Sequence, residues 1–96
     1  MNIAELYQIY LKHPIICTDS RKVTSDSLFF ALKGDNFDGN KYASGALEKG
    51  AAYAIIDNAE YQKDEQYILV ENSLTCLQQL ANFHRNQFKI PVIAIT

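Results

Sequence analysis

Ninety-six residues, 48% of them apolar, set the scale of one domain able to bury its own core without metals or disulfide staples, and exclude a two-domain chain. Nine Lys and Arg against eleven Asp and Glu give a net charge of −2; the basic residues form no stripe, which argues against a nucleic-acid partner. No apolar run approaches the ~20 residues that span a bilayer, and Met1 to Leu6 has neither the basic nor the apolar region of a signal peptide, so a cytoplasmic chain without membrane insertion is expected.

In chain order, residues 2–12 read as a helix, with Ile3, Leu6, Tyr7 and Tyr10 on one face, Asn2 as cap and Pro14 beyond its end. Ile15 to Thr18 is a short strand. Cys17 and Cys76 are far apart and lack metal spacing; they read as two reduced, partly buried thiols, with a disulfide as the alternative. Residues 19–27 are polar and aperiodic, hence a loop. Leu28 to Leu32 is a continuous apolar run, the mark of a buried strand. Residues 33–40 form a second loop containing Gly34 and Gly39.

Lys41 to Lys49 reads as a helix with Tyr42, Ala46 and Leu47 inward and Gly50 as its stop. Ala52 to Ile56 is a strand, residues 61–66 are charged and exposed, and Tyr67 to Val70 is another strand. Ser73 is expected to cap the longest helix, running to about Gln87 with Leu74, Leu77, Leu80, Ala81 and His84 inward. Pro91 should break the chain before a final strand, Val92 to Ile95. Alternating strands and helices predict an α/β fold, a small three-layer sandwich with a mostly parallel sheet. A strand at the very end reads either as the natural close of a domain or as a cut at a domain boundary. The four glycines, Gly34, Gly39, Gly45 and Gly50, do not make a phosphate-binding loop.

Two stretches carry candidate chemistry. Thr18, Asp19, Ser20 and Arg21 leave the carboxyl end of a strand, where α/β sheets bind ligands. Ser20 offers a hydroxyl and Arg21 a planar fork for phosphate; the plainer reading is an Asx turn with a solvated Arg. Asp35, Asn36, Phe37, Asp38, Gly39 and Asn40 follow a buried strand and lead into a helix, whose first N–H groups favour an anion. Asn36 can read a base edge and Phe37 can stack on a ring; the plainer reading is a surface turn. Together, hydroxyl, guanidinium, amide, aromatic and helix start suit a nucleotide diphosphate. His84 reads as a core-edge histidine and His13 as exposed. Asp57 ends a strand as a receiver's phospho-acceptor does, but the other acidic and Lys residues of a receiver are absent.

The ordered set Asp19-Ser20-Arg21, Leu28-Phe29-Phe30-Ala31-Leu32-Lys33-Gly34, Phe37-Asp38-Gly39 and Ala46-Leu47-Glu48-Lys49-Gly50-Ala51 resembles the N-terminal domain of the Mur ligase family, which builds the peptidoglycan peptide. The closing Pro91 to Thr96 looks like the strand before that family's ATP-binding loop. The resemblance covers essentially the whole chain. It implies a single domain, 1–96, that holds the UDP end of UDP-N-acetylmuramoyl-peptide and stops just before an ATP-binding central domain. Thr18 and Ser20 would contact the uridine–diphosphate end, Asp35, Asn36 and Phe37 would line the uracil pocket, and Arg21 and Asp38 would brace the two loops. Asn40 stands where the family often has His, so any ionic role of that His is missing while capping remains possible. Ser27 lies near a usual Gly-Asp pair.

The resemblance is to the members that add D-Ala-D-Ala to the tripeptide, with those adding the third residue as the alternative. It implies no catalytic residue and no metal ligand within these 96 residues, which alone should be inactive. ATP, Mg²⁺ and D-Ala-D-Ala would be handled elsewhere in the full-length enzyme, through an acyl phosphate that the incoming amine displaces. A stand-alone module binding a nucleotide or a protein is the competing expectation.

Overall fold

The computed structural model describes the backbone of residues 2–34 and 37–95 and the side chains of residues 2–33 and 38–86. Helix α1 spans Ile3–Lys12 and α2 Ala43–Glu48, while α3 spans Ser73–Ile95; the strands are β1 Ile16–Cys17, β2 Leu28–Phe30, β3 Lys33–Gly34, β4 Phe37–Asp38, β5 Tyr53–Ile56 and β6 Tyr67–Leu69. Four strands form one sheet in the order β1-β2-β5-β6. Every pairing in it is parallel. β3 and β4 form a separate antiparallel hairpin.

The three layers follow from the two-residue period of the central strands. Leu28 and Phe30 of β2 and Ile55 of β5 point to one face and pack with Leu6 and Tyr7 of α1 and Cys76 and Leu80 of α3. Phe29, Ala31, Ala54 and Ile56 point to the other face and pack with Ala43 and Ala46 of α2. Both faces are covered, which is why β2 reads as an unbroken apolar run.

α1 begins with a reciprocal cap. Asn2 Oδ1 accepts from the Glu5 amide at 2.8 Å, and Asn2 Nδ2 donates to Glu5 Oε1 at 3.2 Å, which satisfies end groups the helix itself leaves open. Tyr7 meets the ring of Phe83 at 4.9 Å, and its hydroxyl lies 3.0 Å from His84 Nδ1. His84 is thus the expected core-edge residue, held between α1 and α3.

Several expectations are corrected. His13 is half-buried rather than exposed: its Nδ1 lies 2.9 Å from Asp26 Oδ1 and its ring packs edge-on to Tyr53. The segment 25–27 is drawn over it because the Asp26 amide donates to Gly50 O at 2.8 Å and Ser27 Oγ to Thr24 O at 2.8 Å. Tyr42 points outward, 45% exposed. α2 lies against the sheet through Ala43 and Ala46, which pack with Phe29, Ala54 and Tyr67, so Ala43 takes the inward position.

Asn72, not Ser73, caps α3: its Oδ1 accepts from the Thr75 amide at 2.9 Å. With that start, Cys76, Leu77, Leu80 and Phe83 turn inward, and Leu74 and Ala81 are exposed. The expected strand Val92 to Ile95 is helical, since α3 continues through Pro91. A strand needs a neighbour for its backbone groups, whereas a helix pairs them within itself.

Candidate functional site

β1 and β2 are adjacent and parallel, so the segments that leave their carboxyl ends emerge on the same edge of the sheet. That edge is where open α/β sheets receive ligands.

The first segment is built around Asp19. Its Oδ1 accepts from the Arg21 amide at 2.9 Å, winding Ser20–Lys22 into a 3-10 turn. Arg21 Nε donates to the same oxygen at 3.1 Å and Arg21 Nη2 to Oδ2 at 3.1 Å. This fork holds the Asp19 carboxyl below the usual carboxylate range, first through the guanidinium and then through the Arg21 amide, and raises Arg21 in turn. It uses two of the five guanidinium N–H donors, and the Arg21 side chain is 84% exposed. The plainer reading thus describes the backbone, since Asp19 makes an Asx-type cap, and the Asp19 fork leaves three of the five Arg21 guanidinium N–H groups to other partners. Lys49 Nζ donates to Ser20 O at 2.9 Å, adding a second positive charge from the end of α2. Thr18, Asp19, Ser20, Arg21 and Tyr42 together line a cleft of about 490 Å³.

The second segment is the β3–β4 hairpin. Lys33 pairs with Asp38 and Gly34 with Phe37. Asp35, Asn36 and the Phe37 side chain lie outside the described residues. The base of the hairpin is held from below. Asp38 Oδ1 accepts from the amide of Asn40 at 3.0 Å and from its Nδ2 at 2.7 Å. Asn40 Nδ2 also donates to Asp57 Oδ1 at 2.8 Å, and the Asp57 amide donates to Asn40 Oδ1 at 3.0 Å. The second Asp57 oxygen accepts from the Ser73 amide at 3.1 Å. Asn40 is 1% exposed, and all its polar groups are engaged within the chain. The structure therefore places Asn40 in the brace, with its cap role taken by Asp38.

Thr18, Ser20 and Arg21 come together in one cleft, while Asp38 and Asn40 lie at the root of the neighbouring hairpin. Sequence reasoning set Asp57 aside and turned Tyr42 inward. Only the packing of three segments on one strand end reveals Asp57 as their common acceptor. A larger hollow of about 710 Å³ lies beside β6 and the starts of α1 and α3, and none of the residues expected from the sequence to bind lines it. Among the described residues, no group of three His, Cys, Asp or Glu side chains is placed to hold a metal, and no helix is long and apolar enough to cross a membrane.

Asp38 is held below the usual carboxylate range by the Asn40 side chain, against the opposing effect of partial burial. Its folded value lies beneath the unfolded one, so its contribution to stability is fully present above the unfolded value of 3.8 and is lost as pH falls through the folded value. Asp38→Asn should therefore flatten the acid limb of the stability profile below about pH 4 relative to the parent, with the plateau near neutrality shifted by a constant amount. Urea unfolding across pH measures this; parallel acid limbs would show that the Asp38 carboxyl is not held as the geometry implies.

Comparison with known proteins gives a consistent picture. The model of the Mur ligase family, catalytic domain, matches residues 13–85. The UDP-N-acetylmuramoyl-tripeptide–D-alanyl-D-alanine ligase of Buchnera aphidicola is 38% identical over 96 residues, which is 99% of this chain and 20% of that protein. Crystal structure I of MurF from Acinetobacter baumannii superposes with a TM-score of 0.70 at 25% identity, over 90% of this chain and 21% of that one. The MurF ligase of Thermotoga maritima, solved in complex with ADP, gives a TM-score of 0.65 at 31% identity, over 70% and 16%. The chain thus spans about a fifth of the length of the curated relatives it matches.

Proposed function

Because the chain belongs to the Mur ligase family, we propose that residues 1–96 are the N-terminal, UDP-substrate-holding domain of an ATP-dependent ligase that joins D-alanyl-D-alanine to UDP-N-acetylmuramoyl-tripeptide. The likeness to a ligase of that name, over 99% of this chain and 20% of that protein, carries this reading. The cleft lined by Thr18, Ser20 and Arg21 at the carboxyl end of β1 supports it, since open α/β sheets receive ligands at that edge.

In this reading the diphosphate lies against the Ser20 hydroxyl, the free Arg21 donors and the Lys49 charge. Thr18 contacts the uridine–diphosphate end, and Asp35, Asn36 and Phe37 at the hairpin tip read the uracil. Asp38 and Asn40 hold the root of that tip. The contribution to catalysis is orientation of the substrate, which converts binding energy into alignment of the reacting groups. The four glycines make no phosphate loop, so in this reading ATP and Mg²⁺ are not held by these residues. Both are assigned to the rest of the protein, which also receives D-Ala-D-Ala. The compartment implied is the cytoplasm.

The test is a calorimetric titration of UDP into the full-length protein with Ser20→Ala as the variant. Losing a hydroxyl contact should weaken UDP about fivefold, the size of roughly 1 kcal/mol of net hydrogen bonding. Equal affinity in parent and variant would remove Ser20, and with it this cleft, from the binding site.

A further inference from the structure

Tyr42 ends the 3-10 turn Gly39–Tyr42 and starts α2. Its side chain does not serve the core, whose α2 positions are filled by Ala43 and Ala46, and is 45% exposed. It forms instead a wall of the cleft that Thr18, Asp19, Ser20 and Arg21 line. The other walls are hydroxyls, a carboxylate and a guanidinium, with the Lys49 ammonium bonded to Ser20 O. The hydroxyls, the guanidinium and the ammonium suit phosphate oxygens, the Asp19 carboxylate being taken up by Arg21, and Tyr42 supplies the one aromatic ring among the residues lining the cleft. A tyrosine joins an apolar ring to a polar hydroxyl, a combination enriched at binding surfaces that are apolar at one end and wet at the other.

We propose that Tyr42 is a binding residue of this cleft, its ring forming the face on which the nucleoside of a nucleoside diphosphate packs while the phosphates lie toward Ser20 and Arg21. This rests on the nucleotide reading of the cleft given above. An aromatic face accepts any base, so Tyr42 contributes affinity, and the choice of uracil falls to hydrogen-bonding groups elsewhere.

The experiment titrates UDP and, separately, inorganic pyrophosphate into the full-length protein, with a non-hydrolysable ATP analogue occupying any ATP site. Tyr42→Ala should weaken UDP about tenfold, within the range found when a stacking aromatic is removed, and leave pyrophosphate unchanged. Tyr42→Phe should bind UDP like the parent, and Ser20→Ala should weaken both ligands. Unchanged UDP affinity in Tyr42→Ala beside a weakened Ser20→Ala overturns the role of Tyr42 and leaves the cleft standing. Equal loss for UDP and pyrophosphate also overturns it, because the ring would then be shaping the 18–21 turn. No effect in either variant removes the cleft itself. Should Tyr42→Ala fold poorly, Tyr42→Leu keeps the bulk, and the same pair of ligands decides.

Discussion

Asp57→Ala should lower the unfolding free energy by about 3 kcal/mol, the sum expected when the Ser73 amide loses its acceptor and the Asn40 side-chain amide loses one of its two. The Asp57 side chain is 9% exposed. One oxygen takes the Asn40 side-chain amide and the other the Ser73 amide. Alanine orphans the Ser73 amide and leaves the Asn40 side-chain amide with Asp38 alone, and each lost buried bond costs about 1–3 kcal/mol. For a domain of this size that corresponds to a fall in Tm of roughly 15 °C. Asp57→Asn keeps the shape and one acceptor and should lose about half as much. The bond from the Asp57 amide to Asn40 Oδ1 survives both changes, since its donor is backbone. Urea unfolding of the three proteins checks the order; a loss under about 1 kcal/mol for Ala would show that water satisfies these groups.

Gly39→Ala should be comparably damaging for a steric reason. A Cβ at Gly39 would lie 2.7 Å from both the nitrogen and the oxygen of Leu32 and 2.9 Å from Ala31 Cα. All three are backbone atoms, so none can swing aside. The crowding comes from the 2.7 Å bond that the Gly39 amide donates to Leu32 O, which ties the hairpin root to the end of β2. Forcing a methyl group into that contact costs about 3 kcal/mol if the bond is kept, or displaces the hairpin if it is not. Gly45 is the control: nothing lies within 4 Å of its added Cβ, and Gly45→Ala in α2 should stabilise by about 0.5–1 kcal/mol through helix propensity. Thermal melts separate the two, and a harmless Gly39→Ala would contradict the packing at this crossing.

Both changes strike the same place. Gly39, Asn40 and Asp57 hold β2, the hairpin root, β5 and the start of α3 to one another at the ligand-receiving edge. A substitution there should alter UDP affinity together with stability. Ser20→Ala, on the open wall of the cleft, should alter affinity with little change in stability.

Much of this was legible in the residues. The run Leu28 to Leu32 announced a strand covered on both faces, and two cores now flank it. The alternation of strands and helices announced a parallel sheet. The order of the Asp19-Ser20-Arg21 and Phe37-Asp38-Gly39 motifs pointed to the family that the comparisons show. Helical periodicity, however, left the rotation of α3 open. Leu74 and Ala81 satisfy the same three- and four-residue spacing as Leu80, yet both are exposed, because the rotation follows from where the Ser73 amide is anchored.

Asn2 capping α1, the Asp19 turn and the two-sided burial of β2 were determined by the chain alone, since each depends on neighbours a few residues away or on a period of two. The outward ring of Tyr42, the inward amide of Asn40, the pairing of His13 with Asp26 and the central place of Asp57 were decided only by the tertiary structure. Each depends on how the layers pack or on residues 13 or more positions apart, and local pattern carries no information about contacts of that kind.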